Sequence, residues 1–88
     1  MNQEEFLHHL AENHFPAPII TKKDAGTMGV HSHTFEPMAL IIEGEMSIES
    51  GGVTSRYQVG DIFHLQPNQL HSESYGPQGV TYLVSRKE

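Results

Sequence analysis

Residues 29–48 read GVHSHTFEPMALIIEGEMSI, and residues 60–73 read GDIFHLQPNQLHSE. In the first stretch His31 and His33 stand two apart on a segment that reads as extended backbone, where side chains i and i+2 leave the same face. In the second, His71 and Glu73 repeat that relation directly after a turn. If the sheet closes so that both segments face inward, three neutral imidazoles and one carboxylate surround a common point. That is a sufficient ligand set for a divalent metal. The competing reading is a metal-free polar pocket, with the same histidines held neutral by hydrogen bonds around an organic ligand.

Outward from these stretches, the chain after Pro18 is built of short runs rich in Val, Ile, Tyr, Phe and Thr, punctuated by Gly, Pro and Asn. This is the pattern of an all-β barrel or sandwich. Strands are predicted near Ile19–Lys23, Met28–His33, Met38–Glu43, Glu45–Glu49, Thr54–Gln58, Asp61–Leu65, His71–Tyr75 and Gly79–Ser85. Turns are predicted at Glu43-Gly44, Ser50-Gly51-Gly52, Val59-Gly60-Asp61, Pro67-Asn68-Gln69 and Gly76-Pro77-Gln78-Gly79. In Met38–Ile42 both alternating faces are apolar, so one is expected to line the interior and the other to lie under a helix or a partner subunit. Upstream, Phe6, Leu7, Leu10 and, loosely, His14 recur at helical spacing between Asn2 and Phe15. Glu4 and Glu5 suit the first turn of that helix, and Pro16 and Pro18 are expected to end it.

The two histidine-bearing stretches resemble the paired motifs of the cupin superfamily. In the first such motif a His-x-His is followed by an acidic residue and a hairpin glycine; in the second a Gly-Asp pair opens a strand and a His follows a Pro-x-Gly turn. The tail, SESYGPQGVTYLVSRKE, resembles the last hairpin of small single-domain cupins, and the likeness runs from Thr27 to Arg86. It implies a cupin-type β-barrel, a double-stranded β-helix or jelly roll, with one short N-terminal helix. The expected organisation is a single domain over 1–88, the leading helix in 1–16 and the barrel in 17–88. By the same resemblance the metal residues are His31, His33 and His71, with Glu36 or Glu73 as a fourth or supporting group. Glu73 is also the candidate for a catalytic proton acceptor.

Two positions depart from the motifs. The acidic ligand's usual register falls on Pro37, which cannot coordinate, and Glu36 comes one residue early, on the opposite face of a regular strand. Gln66-Pro67-Asn68 replaces the Pro-x-Gly turn, with Asn68 taking the left-handed conformation that glycine would supply. Among the other histidines, His64 is out of phase with Phe63 and Leu65 and is expected to face outward or to meet a second subunit. His8, His9 and His14 read as a surface cluster, and Tyr57, Tyr75 and Tyr82 as ordinary strand aromatics.

Composition narrows the function classes. The 88 residues contain no cysteine, which removes disulfides, thiolate metal sites and thiol nucleophiles and fits a reducing compartment. Five Lys plus Arg against eleven Asp plus Glu give a formal charge of −6, with no basic cluster, so nucleic acid is not an expected partner. The start, MNQEEFLHHL, lacks the basic head and apolar stretch of a secretory signal, and Met38–Ile42 is too short to cross a membrane. A cytoplasmic protein without membrane contact is expected. A core this small gains from metal or from a second subunit, so a homodimer is expected too.

The leading functional expectation is a metal-dependent enzyme of dioxygenase or isomerase type acting on a small polar organic molecule, with Zn, Fe, Ni, Mn or Cu as the ion. The alternative is a barrel that binds or senses a small molecule without converting it. A degenerate barrel kept for assembly ranks last, because all three histidines are present. Fold alone does not choose among these.

Overall fold

A computed structural model describes residues 1–88. One helix, α1 (Gln3–Glu12), precedes six strands: β1 (Ile19–Lys23), β2 (Gly26–His31), β3 (Glu36–Ser50), β4 (Val53–Gln58), β5 (Ile62–His64) and β6 (His71–Lys87). No helix is long and apolar enough to cross a membrane.

All strand pairs are antiparallel, and β3 and β6 form the spine. Along its other edge β6 carries β2 and then β1, end to end; β3 likewise carries β5 and β4. Each long strand therefore belongs to two half-sheets. One half holds β1, β5 and the adjoining parts of β3 and β6; the other holds β2, β4 and the remaining parts. The halves fold onto each other, and their inner faces share a core of Ala39, Ile41, Met46, Ile48, Phe63, Leu65, Val80, Tyr82 and Val84. Full burial of an aliphatic or aromatic side chain of this kind contributes about 1.5–3 kcal/mol.

The sequence reading places turns at Glu43-Gly44 and at Gly76–Gly79, dividing four strands. The structure instead carries β3 and β6 continuously through both places, with the pairing register shifting between Ile41 and Glu43 and again between Gly44 and Met46. Gly44 and Gly79 cross there at positive φ, 72° and 76°. A Cβ on Gly44 would collide with the Gly79 carbonyl oxygen, and one on Gly79 with the Lys23 carbonyl oxygen. Glycine thus makes a bend inside a strand, where the same residue type also makes turns.

The outer face of the first half-sheet is covered by α1. Phe6, Leu10 and Phe15 pack with Met38, Leu40 and Leu83, so the second apolar face of β3 lies under the helix and needs no partner subunit to cover it. Asn2 and Glu5 form a reciprocal capping box at the helix start. The helix closes earlier than Pro16 and Pro18 imply. His14 adopts φ 62°, its N–H donates to the Ala11 carbonyl, and the Phe15 N–H donates to the Leu10 carbonyl at 2.8 Å. This is a Schellman ending, sealed by the Leu10–Phe15 apolar contact, and it puts His14 in the turn instead of on the helix face. The linker is pinned by the buried Ser85 hydroxyl, which donates to the Pro16 carbonyl at 2.6 Å. Lys87 adds a bond to the Asn13 carbonyl and lies over the Phe15 ring.

Candidate metal centre

His31 ends β2 opposite His71, the first residue of β6, while Met28 stands opposite Glu73. Three steps along β2 therefore match two along β6, a bulge at Gly29-Val30. Its effect is a change of phase: Met28 and His31 would face opposite ways in a regular strand, yet both line the interior cavity. The predicted strand to His33 stops at His31. His33 is held from another direction, its carbonyl accepting the Asn68 N–H at 2.6 Å. Asn68 has φ 62°, the left-handed conformation expected of it in place of glycine. The altered turn thus fixes the backbone beside His33.

His31, His33, His71 and Glu73 converge, with one potential ligand atom from each lying within 4.8 Å of all the others. Ring centroids are 4.3 Å apart for His31 and His71, 5.0 Å for His31 and His33, and 5.4 Å for His33 and His71. Hydrogen bonding sets the orientation of two rings. His31 Nδ1 donates to the Gly29 carbonyl at 2.6 Å, and His71 Nδ1 donates to the Gln69 carbonyl at 2.8 Å. A carbonyl can only accept, so in the neutral ring each Nε2 carries a lone pair. These two Nε2 atoms are buried and have no hydrogen-bond partner. They lie 3.2 and 3.3 Å from the same Glu73 oxygen, Oε2.

Two lone pairs and a carboxylate oxygen gathered in a buried space repel one another unless a proton or a metal ion lies among them. Donors around one tetrahedral zinc, with bonds of about 2.0–2.1 Å, are separated by about 3.3 Å. The residues present thus fit a divalent metal in donor type and tautomer, and the two imidazole–carboxylate separations match that spacing. The other Glu73 oxygen, Oε1, accepts the Tyr75 hydroxyl at 3.0 Å, which leaves Oε2 toward the imidazoles. Burial first, then the charge of Glu73 and that hydrogen bond, push the Tyr75 pKa far above its ordinary 10, so the phenol stays a donor.

Glu36 is not part of this cluster. Its carboxylate pairs with His64 Nε2 at 2.5 Å on the outer side of the first half-sheet, and His64 meets the Phe15 ring edge-on. Pro37 pairs with Arg86 in regular β3 register, so Glu36 keeps the face that strand phase gives it. Glu36 is therefore not the carboxylate beside the histidines, contrary to one of the two expectations, and the outward placement of His64 agrees with its phase. Glu73 is the carboxylate that the fold delivers.

The cavity in front of the cluster has a volume of about 100 Å³ and is also bordered by Phe35, Phe63, Tyr82, Lys23 and Arg86. His33 stacks on Phe35 with centroids 4.7 Å apart, and the Arg86 guanidinium lies over the Phe35 ring, 5.1 Å from its centroid. Burial and then Glu73 push the Tyr82 phenol up to about 12. The sequence reading gives Lys23 and Arg86 no part in the site. Strand phase could have found Arg86, since it continues the alternation Val80, Tyr82, Val84 that faces the core.

Neither a protein-family model nor a curated protein matches this sequence. Solved structures do. A cupin-2 domain protein of Shewanella frigidimarina aligns over 100% of this chain and 94% of its own, with a TM-score of 0.68 and 13% identity. The chain folds as a cupin. Its barrel is also similar to KdgF of a Halomonas species, with a TM-score of 0.66 and 18% identity over 81% of this chain and 68% of that one. A protein described as ethanolamine utilization protein Q of Salmonella typhimurium matches with a TM-score of 0.68 and 16% identity over 77% of this chain. Our chain spans about half of that protein's length, 54%. At such identities the likeness establishes the cupin fold and nothing of the chemistry.

Protonation of His33 offers a direct check on the site in metal-free protein. Burial first, then the neighbouring His31 and His71, lower its pKa below the ordinary 6.5. As pH falls, the unfolded chain then takes up this proton before the folded one. The contribution of His33 to stability is complete above 6.5 and is lost as pH drops through the folded value. An NMR titration of metal-free protein should place the His33 midpoint below 6.5; a midpoint above it contradicts the packing of the three rings.

Proposed function

We propose that this cupin is a metal-dependent enzyme of dioxygenase or isomerase type, acting on a small polar organic molecule. His31, His33, His71 and Glu73 would hold one divalent ion; Zn, Fe, Ni, Mn and Cu all accept such donors. The observation that carries the reading is the pair of buried, partnerless Nε2 atoms aimed at one carboxylate oxygen. When bound, the ion supplies Lewis-acid polarisation of a substrate oxygen.

The remaining work falls to the chain. Gly29 and Gln69 carbonyls lock the imidazole tautomers, as partners of ligating histidines do in metal sites generally. Tyr75 holds one Glu73 oxygen, so that carboxylate is committed to the cluster and is a poor candidate for a free proton acceptor. Tyr82, buried and protonated, lines the cavity and is the side chain there suited to hydrogen-bond a substrate oxygen. Phe35 and Phe63 give the same space an apolar wall.

Metal analysis after reconstitution and desalting tests the site. About one equivalent per chain is expected, lost in the double variant His31→Ala/His33→Ala; equal content in both proteins overturns the reading. Turnover of small hydroxy and oxo compounds by the loaded protein tests the enzymatic part. Saturable binding without any conversion would assign the barrel to capture or sensing.

A further inference from the structure

This inference rests on the metal reading above and names the chemistry of the molecule that the cavity takes. The protein has five Lys plus Arg residues in a chain of net charge −6. Arg56 is paired with Glu45, and Lys87 is bound to the Asn13 carbonyl and stacked on Phe15. Lys22 alternates with the inward residues of β1 and is exposed. The two that remain, Lys23 and Arg86, have no carboxylate partner in the structure, and both border the cavity that contains the histidine cluster. These two, Lys23 half-buried and Arg86 exposed at the cavity's border, are the cations left free to attract an anion into it.

Strand phase explains how they arrive there. Thr21 and Lys23 on β1 stand opposite Tyr82 and Val80, whose side chains point into the core, and Arg86 follows Tyr82 and Val84 in the same alternation on β6. The Phe35 ring, itself stacked on His33, has the exposed Arg86 guanidinium 5.1 Å from its centroid, within cation–π range. A planar guanidinium suits the two oxygens of a carboxylate. Its influence reaches both His33 and Tyr82, so it stands in electrostatic range of the cluster and of the phenol.

We propose that the cavity binds a small organic carboxylate, with its carboxylate on Arg86 and Lys23 and a second oxygen, hydroxyl or carbonyl, turned toward the histidine cluster and Tyr82. Size sets the class further. At about 100 Å³ the cavity is well below the ~300 Å³ at which pockets for drug-sized ligands begin, so the anion is a hydroxy or oxo acid of a few carbons.

The test compares lactate and pyruvate with lactamide and pyruvamide, neutral amides of nearly the same shape, by calorimetry on cobalt-loaded protein. Cobalt binding itself is followed separately by visible absorption in every variant. The acids are expected to bind at least about tenfold more tightly than their amides, a difference of about 1.4 kcal/mol. Arg86→Gln should erase most of that preference while leaving the cobalt spectrum unchanged, and Lys23→Gln should reduce it. Arg86→Lys keeps the charge without the fork and should restore only part of the affinity. Intact cobalt binding with equal affinity for acids and amides, or with no effect of Arg86→Gln, overturns the anion assignment and leaves the metal site standing. Absence of cobalt binding in the wild-type chain overturns both.

Discussion

Zinc at about a hundredfold excess over its dissociation constant is expected to raise the melting temperature of the metal-free chain by about 10–20 °C, and His71→Ala is expected to abolish the rise. The size follows from linkage: such an excess stabilises the folded state by about 2.7 kcal/mol, and in a domain of this length each kcal/mol is worth about 4–8 °C. His71 is the residue to remove because it is 2% exposed, its Nδ1 is committed to the Gln69 carbonyl, and its Nε2 has no partner in the protein. Its loss subtracts a donor that no neighbouring side chain can replace. His64→Ala is the matched control. That ring is bound to Glu36 outside the cluster, and the variant should keep the full zinc response. Differential scanning fluorimetry with and without zinc reads all three proteins; equal shifts in wild type and His71→Ala would sink the site.

Gly44→Ala should cost about 3 kcal/mol or more, the largest loss expected from adding one methyl group to this chain. Total stability for a chain of 88 residues is on the order of 4–13 kcal/mol, so the variant loses a large share of it. Two effects combine at this position. Gly44 has φ 72°, unfavourable for any L side chain, and its Cβ would meet backbone atoms of Gly79 and Val80. Backbone cannot swing aside as a side-chain tip can, so the crossing of β3 and β6 would have to open. Gly51→Ala separates the two effects, because Gly51 has φ 59° but open space around it. It should lose about 1–2 kcal/mol, the ordinary cost of the left-handed conformation. Urea unfolding of the metal-free proteins gives both numbers. Comparable losses in the two variants would show that the strand crossing is looser than its geometry implies.

The cupin barrel and its site differ in how far they can be read from residues alone. The i, i+2 pairs His31/His33 and His71/Glu73, the alternating apolar faces of Met38–Ile42 and the left-handed Asn68 are local features. Each depends on a few consecutive residues, and each reappears in the structure. The bends at Gly44 and Gly79 read locally as turns, because a glycine at positive φ looks the same in a hairpin and at a crossing of two strands. Only the long pairing of β3 with β6 tells them apart.

By itself, the order of residues determined an all-β chain with a leading helix, a closely spaced pair of histidines, and a third histidine with a carboxylate two residues on. Tertiary structure decided which carboxylate joins them. Glu36 and Glu73 are both near the histidines along the chain, yet regular β3 register sends Glu36 outward to His64 while Glu73 stays inside. It also decided that Lys23 and Arg86 share the cavity, for they come from distant strands that meet only through the register of β1 and β3 on β6. The physical reason is the two-residue period of a strand. One bulged residue, as at Gly29-Val30, exchanges inside for outside, and where such a residue is inserted depends on the partner strand.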